Sequence, residues 1–144
     1  MIMQENIKKG LLTELRCEID FTNLGFVVSK PITTDSRYDY IVDINGKLLR
    51  IQCKTGNAYD EEETAFSFQC CSSNWNTKSL HSYSKEEIDY YYIVFKDKSY
   101  LFPVELGNKK TKILRLSTKN KGNQCTITWA KDYEFTKIME ELVE

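Results

Sequence analysis

Three polar residues stand at a spacing that brings their side chains together. Gln52 and Lys54 are two apart in a run where Leu49, Ile51 and Cys53 alternate with Arg50, Gln52 and Lys54, so both polar groups leave the same face of a strand. Asp39 lies six residues before Asn45, and Gln52 six after Gly46. Asn45-Gly46 is a strong hairpin signal, because a type I′ turn needs positive φ at both central positions. Folding back at that turn sets Asp39 opposite Gln52 on the neighbouring strand. A carboxylate, an amide oxygen and an ammonium group then share one patch. Such a patch suits phosphodiester cleavage. A hard Mg²⁺ ion takes oxygen ligands and keeps waters that can act as the nucleophile. Asp39 can supply a charged oxygen, and Gln52 and the main-chain carbonyl of Cys53 neutral ones. Lys54 can hold or deprotonate the attacking water and steady charge on the phosphate. The same triple also occurs as a solvated ladder on an exposed hairpin, and both readings stay open at this level.

A helix must bring any further acid. Residues 4–23 carry Ile7, Leu11, Leu15 and Ile19 at spacing four with Leu12 alongside, which predicts a helix whose apolar stripe faces the core. Glu14 and Glu18 share a face, and Glu14 borders that stripe, so it is the acid expected to reach the patch. Its alternative role is a surface glutamate paired with Lys8 or Lys9. Gly25 follows as a residue tolerant of positive φ. Strands are expected at 26–29, 38–44, 47–55, 64–71, 89–95, 99–104, 113–116 and 125–129. An irregular loop is expected at 72–85, with a capping-box turn at Ser84-Lys85-Glu86-Glu87, and a closing helix at 132–143. Helix, then strands, then helix gives an α/β fold on the border of α+β, with a mixed sheet flanked by helices.

At 144 residues, without repeats or a linker-like stretch, residues 1–144 are expected to form one domain. No apolar run suits a membrane span and no secretory pattern is seen. Cys17, Cys53, Cys70, Cys71 and Cys125 read as reduced thiols of an intracellular, cytoplasmic protein, and their spacing with His81 does not suit zinc. The net charge of -1 gives no bulk attraction to nucleic acid. The distribution is more telling. Residues 106–130 contain no acid but hold Lys109, Lys110, Lys112, Arg115, Lys119 and Lys121, a one-sign stretch that can line a phosphate backbone. Trp75, in the polar stretch, could read a groove or pack an interface, with core packing or ordinary surface exposure as the plainer readings.

The pattern resembles the PD-(D/E)xK endonuclease superfamily, in particular its small branch of intron-encoded homing endonucleases, and also archaeal-type Holliday-junction resolvases. The residues that carry the resemblance are Lys9-Gly10-Leu11-Leu12-Thr13-Glu14-Leu15, then Gly25-Phe26-Val27-Val28 and Pro31. Next come Arg37-Tyr38-Asp39-Tyr40-Ile41-Val42-Asp43, Gly46 and Ile51-Gln52-Cys53-Lys54-Thr55. The later blocks are Tyr83-Ser84-Lys85-Glu86-Glu87-Ile88-Asp89-Tyr90 and Tyr100-Leu101-Phe102-Pro103-Val104. The resemblance fades after Glu105. It implies DNA as substrate and Mg²⁺, with Mn²⁺ able to substitute. It makes Glu14 the helix carboxylate, Asp39 the central ligand, Gln52 the second ligand and Lys54 the catalytic lysine. It also implies a homodimer or homotetramer, since paired strand cuts need two sites. Tyr38 stands where the motif has Pro, and Gln52 where most members have an acid. A neutral ligand weakens metal binding unless Glu14 or a phosphate oxygen compensates. The homing branch also uses Gln here. The other readings are a nucleic-acid- or partner-binding module without activity on the same scaffold, and a globular protein whose polar hairpin is accidental.

Overall fold

The computed structural model describes residues 1–73, 76–118 and 127–144. Trp75, Lys119, Lys121, Cys125 and the first part of the strand expected at 125–129 lie outside these. The described elements are α1 (Glu5–Asn23), β1 (Val27–Ser29), β2 (Tyr40–Ile44), β3 (Lys47–Thr55), β4 (Asn57–Ala58), β5 (Ala65–Gln69), β6 (Cys71–Ser73), β7 (Leu80–Ser82), β8 (Tyr90–Phe95), β9 (Lys98–Pro103), β10 (Thr111–Arg115) and α2 (Phe135–Leu142). Among the described residues no helix is long and apolar enough to cross a membrane.

A mixed five-stranded sheet runs in the order β1-β2-β3-β8-β9, parallel only between β3 and β8. The β2–β3 hairpin turns at Asn45 (φ 54°) and Gly46 (φ 91°), with Ile44 paired to Lys47. That is the backbone the Asn-Gly dipeptide requires. Leu49, Ile51 and Cys53 are buried on one face, where Cys17 and Phe21 of α1 and Phe135, Ile138 and Met139 of α2 join Tyr92 and Leu101 in one cluster. On the other face Tyr91, Ile93 and Phe102 pack against Phe66, Phe68 and Leu114. A second sheet, β10-β5-β4, covers that side. β8 is thus apolar on both faces, as a central strand with a parallel neighbour must be. The fold is the expected mixed sheet with helices, and both helices lie on the same face.

Three local expectations are corrected. The strand expected at 64–71 breaks at Cys70, whose N–H goes to Lys110 O (2.7 Å). The stretch 72–85 is not wholly irregular, because β6 and β7 pair antiparallel through Ser72 and His81. The third concerns α1. Its buried residues are Thr13, Cys17 and Phe21, while Ile7, Leu11, Leu12, Leu15 and Ile19 face outward. The helix lies close to the sheet, with Thr13 Oγ1 2.8 Å from Thr55 Oγ1. Small side chains allow that approach, and the bulky aliphatic row does not. The capping-box expectation holds in part. Ser84 N–H reaches Glu87 Oε1 (3.3 Å), and one turn forms with Ile88 N–H on Ser84 O, without a helix following.

Candidate active site

The site lies where β2 stops and β3 continues. The ladder ends at Tyr40 opposite Ile51. Just before it, Asp39 donates its N–H to Ile51 O (2.8 Å) and accepts the Cys53 N–H on Oδ2 (2.8 Å). The residue therefore straddles Gln52, at the matched position expected from the turn. Its carboxylate is fixed at one oxygen, which leaves Oδ1 as the atom able to take a cation. Burial raises the Asp39 pKa above its ordinary 3.8, opposed by the Cys53 N–H and by the charges of Lys54 and Lys30.

Glu14 reaches the same place from α1. It is half-buried beside Thr13 and Cys17, and shares with Asp39 a groove of about 320 Å³ that Lys30, Pro31 and Tyr38 also line. Burial, and then the charge of Asp39, raise its pKa above 4.5, with Lys30 opposing and Glu18 adding. Burial thus raises the proton affinity of both acids, and the charge of Asp39 adds to it at Glu14. Glu18 gives one carboxylate oxygen, Oε2, to the hydroxyl of Tyr40 (2.6 Å). The Tyr40 hydroxyl is also within 3.2 Å of Glu14 O, which pins the helix over the hairpin.

Lys54 approaches from the β3 side. Its Nζ is 3.5 Å from Cys71 O and 4.9 Å from the centre of the Tyr83 ring. Burial lowers its pKa below the usual 10.5, against the pull of Asp39 and the cysteines. Such a lysine gives up a proton more readily than one in water. Gln52 is the least committed member. Its Nε2 turns to its neighbour, Cys53 O, at 3.4 Å. A cation on that carbonyl would displace this weak contact, and a half-turn of the amide would present Oε1.

The donor set fits a hard divalent cation: two carboxylates, one amide oxygen and one main-chain carbonyl, all oxygen. It does not fit zinc. Among the described residues no three of His, Cys, Asp and Glu cluster, and Cys17, Cys53, Cys70 and Cys71 are free and buried.

The basic segment divides. Lys109 and Lys110 lie beside β6 and β7, where Ser82 Oγ donates to Lys109 O (2.7 Å) and Cys71 Sγ approaches Lys110 O (3.8 Å), Cys71 being the residue whose carbonyl faces Lys54. Lys112 instead lies over the Phe102 ring at 5.9 Å, and Arg115 donates to Thr64 Oγ1 (3.2 Å). Sequence reasoning assigned no role to Lys30, whose charge acts on both acids, to Arg37 or to Tyr83. Arg37 stacks on Tyr83 at 4.0 Å and holds Glu87 (2.8 Å) and Ser72 (2.5 Å). It thus braces the ring over which Lys54 lies. The only sequence signal for them is that Arg37 and Tyr83 fall inside the motif blocks quoted above.

The family described as PD-(D/E)XK endonuclease matches residues 4–136. Among solved structures the chain is similar to that of a bacterial homing endonuclease, I-Ssp6803I, at 16% identity and a TM-score of 0.73, covering 97% of this chain and 94% of that one. No curated protein sequence matches. With the family's match spanning nearly the whole chain and the fold agreeing, the chain belongs to the PD-(D/E)XK endonucleases.

Proposed function

We propose that this nuclease is a Mg²⁺-dependent DNA endonuclease, with residues 1–144 acting as one domain inside the cell and Mn²⁺ able to replace Mg²⁺. The observation that carries the reading is Asp39, fixed by the Cys53 N–H between a second acid and a lysine. Asp39 Oδ1, the Cys53 carbonyl, Gln52 and Glu14 would hold the cation. When bound, it would neutralise charge on the phosphate and lower the cost of deprotonating water. Lys54, with its lowered proton affinity, orients the attacking water, takes part in its deprotonation and steadies the phosphate. Tyr83, braced by Arg37, keeps Lys54 from swinging into solvent. Lys109 and Lys110 take the DNA backbone near the site, and Lys112, Arg115, Lys119 and Lys121 of the same basic segment add to the attraction for phosphate. Two copies act together to cut both strands, as a homodimer or a homotetramer.

Incubating the protein with linear, nicked and four-way DNA in Mg²⁺ or Mn²⁺ tests this. Cleavage of linear duplex at a fixed site marks a homing-type activity, and cleavage of four-way DNA a resolvase-type one. Binding with no cleavage of any substrate in either metal would leave a binding module and end the proposal.

A further inference from the structure

The aliphatic row of α1 is the largest departure from what the sequence led one to expect. Ile7 (56% exposed), Leu11 (40%), Leu12 (55%), Leu15 (43%) and Ile19 (55%) run down its outer side, and no described element covers them. A helix of 19 residues is about 28 Å long, so the row spans a large part of one face of the molecule. Contiguous apolar surface on that scale marks a contact site. The row continues into a groove of about 710 Å³ beside Leu12, Leu15 and Ile19, with Ala58, Val94 and Phe95 beyond.

We propose that this face is where a second copy of the chain docks, α1 against α1 in antiparallel sense about a two-fold axis near residue 13. The inference rests on the association of copies proposed above and not on the cleavage chemistry. Two features of the row select this occupant. First, Ile7, Leu11, Leu15 and Ile19 form a single ridge at spacing four. Two such ridges interdigitate with each other in the commonest helix-packing class, so an identical helix is a fitting partner. Second, the charges within the row are self-complementary in one sense only. Lys8 lies between Leu15 and Ile19 around the helix, and Glu18 between Ile7 and Leu11. An antiparallel pair centred at residue 13 sets Ile7 level with Ile19 of the other copy, Leu11 with Leu15, and Lys8 with Glu18. A parallel pair sets lysine beside lysine and glutamate beside glutamate, which repels. A membrane surface would leave Glu18, on the apolar face, facing anionic lipid.

Sedimentation equilibrium of the full chain reads the proposal directly. Wild type should have the mass of two chains or a multiple of it. Leu11→Asp with Leu15→Asp should halve the assembly, raising the dissociation constant at least ~100-fold, with unchanged circular dichroism. Lys8→Glu should weaken association about tenfold or less. The sense of pairing is read by oxidising mixed Leu11→Cys and Leu15→Cys chains against a wild-type control. Antiparallel docking gives the Leu11→Cys/Leu15→Cys heterodimer in preference to either homodimer. Preferential homodimers, or no cross-link above the control, overturn it. A wild type that stays one chain, or that binds anionic vesicles as a monomer, overturns both this surface and the proposed association. A dimer indifferent to the Asp substitutions overturns this surface alone. None of these outcomes depends on cleavage.

Discussion

Two polar clusters on β3, four residues apart, are built in opposite ways. At Arg50 every nitrogen finds an acceptor. Its N–H and Nε go to Asp89 Oδ2 (2.8 and 3.1 Å), Nη2 to Asp89 Oδ1 (3.1 Å) and Lys85 O (2.7 Å), and Nη1 to Glu86 O (2.5 Å). Burial alone would raise the Asp89 pKa, but the hydrogen bonds and charge of Arg50 take it below 3.8. At Lys54 burial wins. The lysine's proton affinity falls, and those of Asp39 and Glu14 rise. The same alternation of side chains thus yields a brace where charges are matched, and a strained patch where burial outweighs the neighbouring charges. Perturbation of this second kind gathers at functional sites, because it leaves the groups in need of a cation or a proton.

Substitutions separate the two clusters. Asp39→Asn should lower the cleavage rate by on the order of 10²–10³-fold, and Lys54→Ala by about 10²–10⁴-fold, with circular dichroism and DNA affinity near wild type. Arg50→Ala should reverse that profile. It leaves Asp89 without its partner, costs about 1–2 kcal/mol of stability and lowers the thermal midpoint, yet spares most of the cleavage rate. Equal loss of cleavage in all three variants would erase the distinction.

The pH dependence sharpens it. Asp39 and Glu14 bind protons more tightly folded than unfolded. Their effect on stability is therefore unfavourable once pH rises above the ordinary 3.8 and 4.5 and through their folded-state values. Asp39→Asn should then melt higher than wild type at neutral pH, with the gap closing towards acid. Asp89 acts in the opposite sense. Its contribution is present above 3.8 and lost as pH falls through its lower folded-state value, so Asp89→Asn should melt lower at neutral pH and converge on wild type in acid. Thermal melts from pH 3 to 8 measure both. The smallest effect is expected from Gln52→Glu, which should tighten Mn²⁺ binding several-fold and leave the melting temperature almost unchanged. An unaltered affinity would remove Gln52 from the ligand set.

Much of the candidate site was legible because it depends on local geometry. An Asn-Gly turn and a two-residue period are enough to align Asp39 with β3 and to put Gln52 and Lys54 on one face. The helix was harder to read. α1 has two faces able to lie on a sheet, and periodicity favoured the bulkier one. The sheet took the row of Thr13, Cys17 and Phe21 instead, because Thr13 and Cys17 permit close approach while Phe21 packs against Tyr92 and Phe135. Glu14 borders both rows, so its placement survived the error. Lys30, Arg37 and Tyr83 reach the site through tertiary packing, which no spacing in the chain announces. The division of the basic segment was hidden for the same reason, since the contacts of Lys112 with Phe102 and of Arg115 with Thr64 are made only by packing between elements.

The central claim is that Asp39 and Glu14 share one cation. Calorimetric titration with Mn²⁺ tests it most directly, comparing wild type with Asp39→Asn, Glu14→Gln and Asp89→Asn. The account predicts one site per chain in wild type and in Asp89→Asn, with binding lost in Asp39→Asn and weakened in Glu14→Gln. Undiminished binding in Asp39→Asn would contradict it.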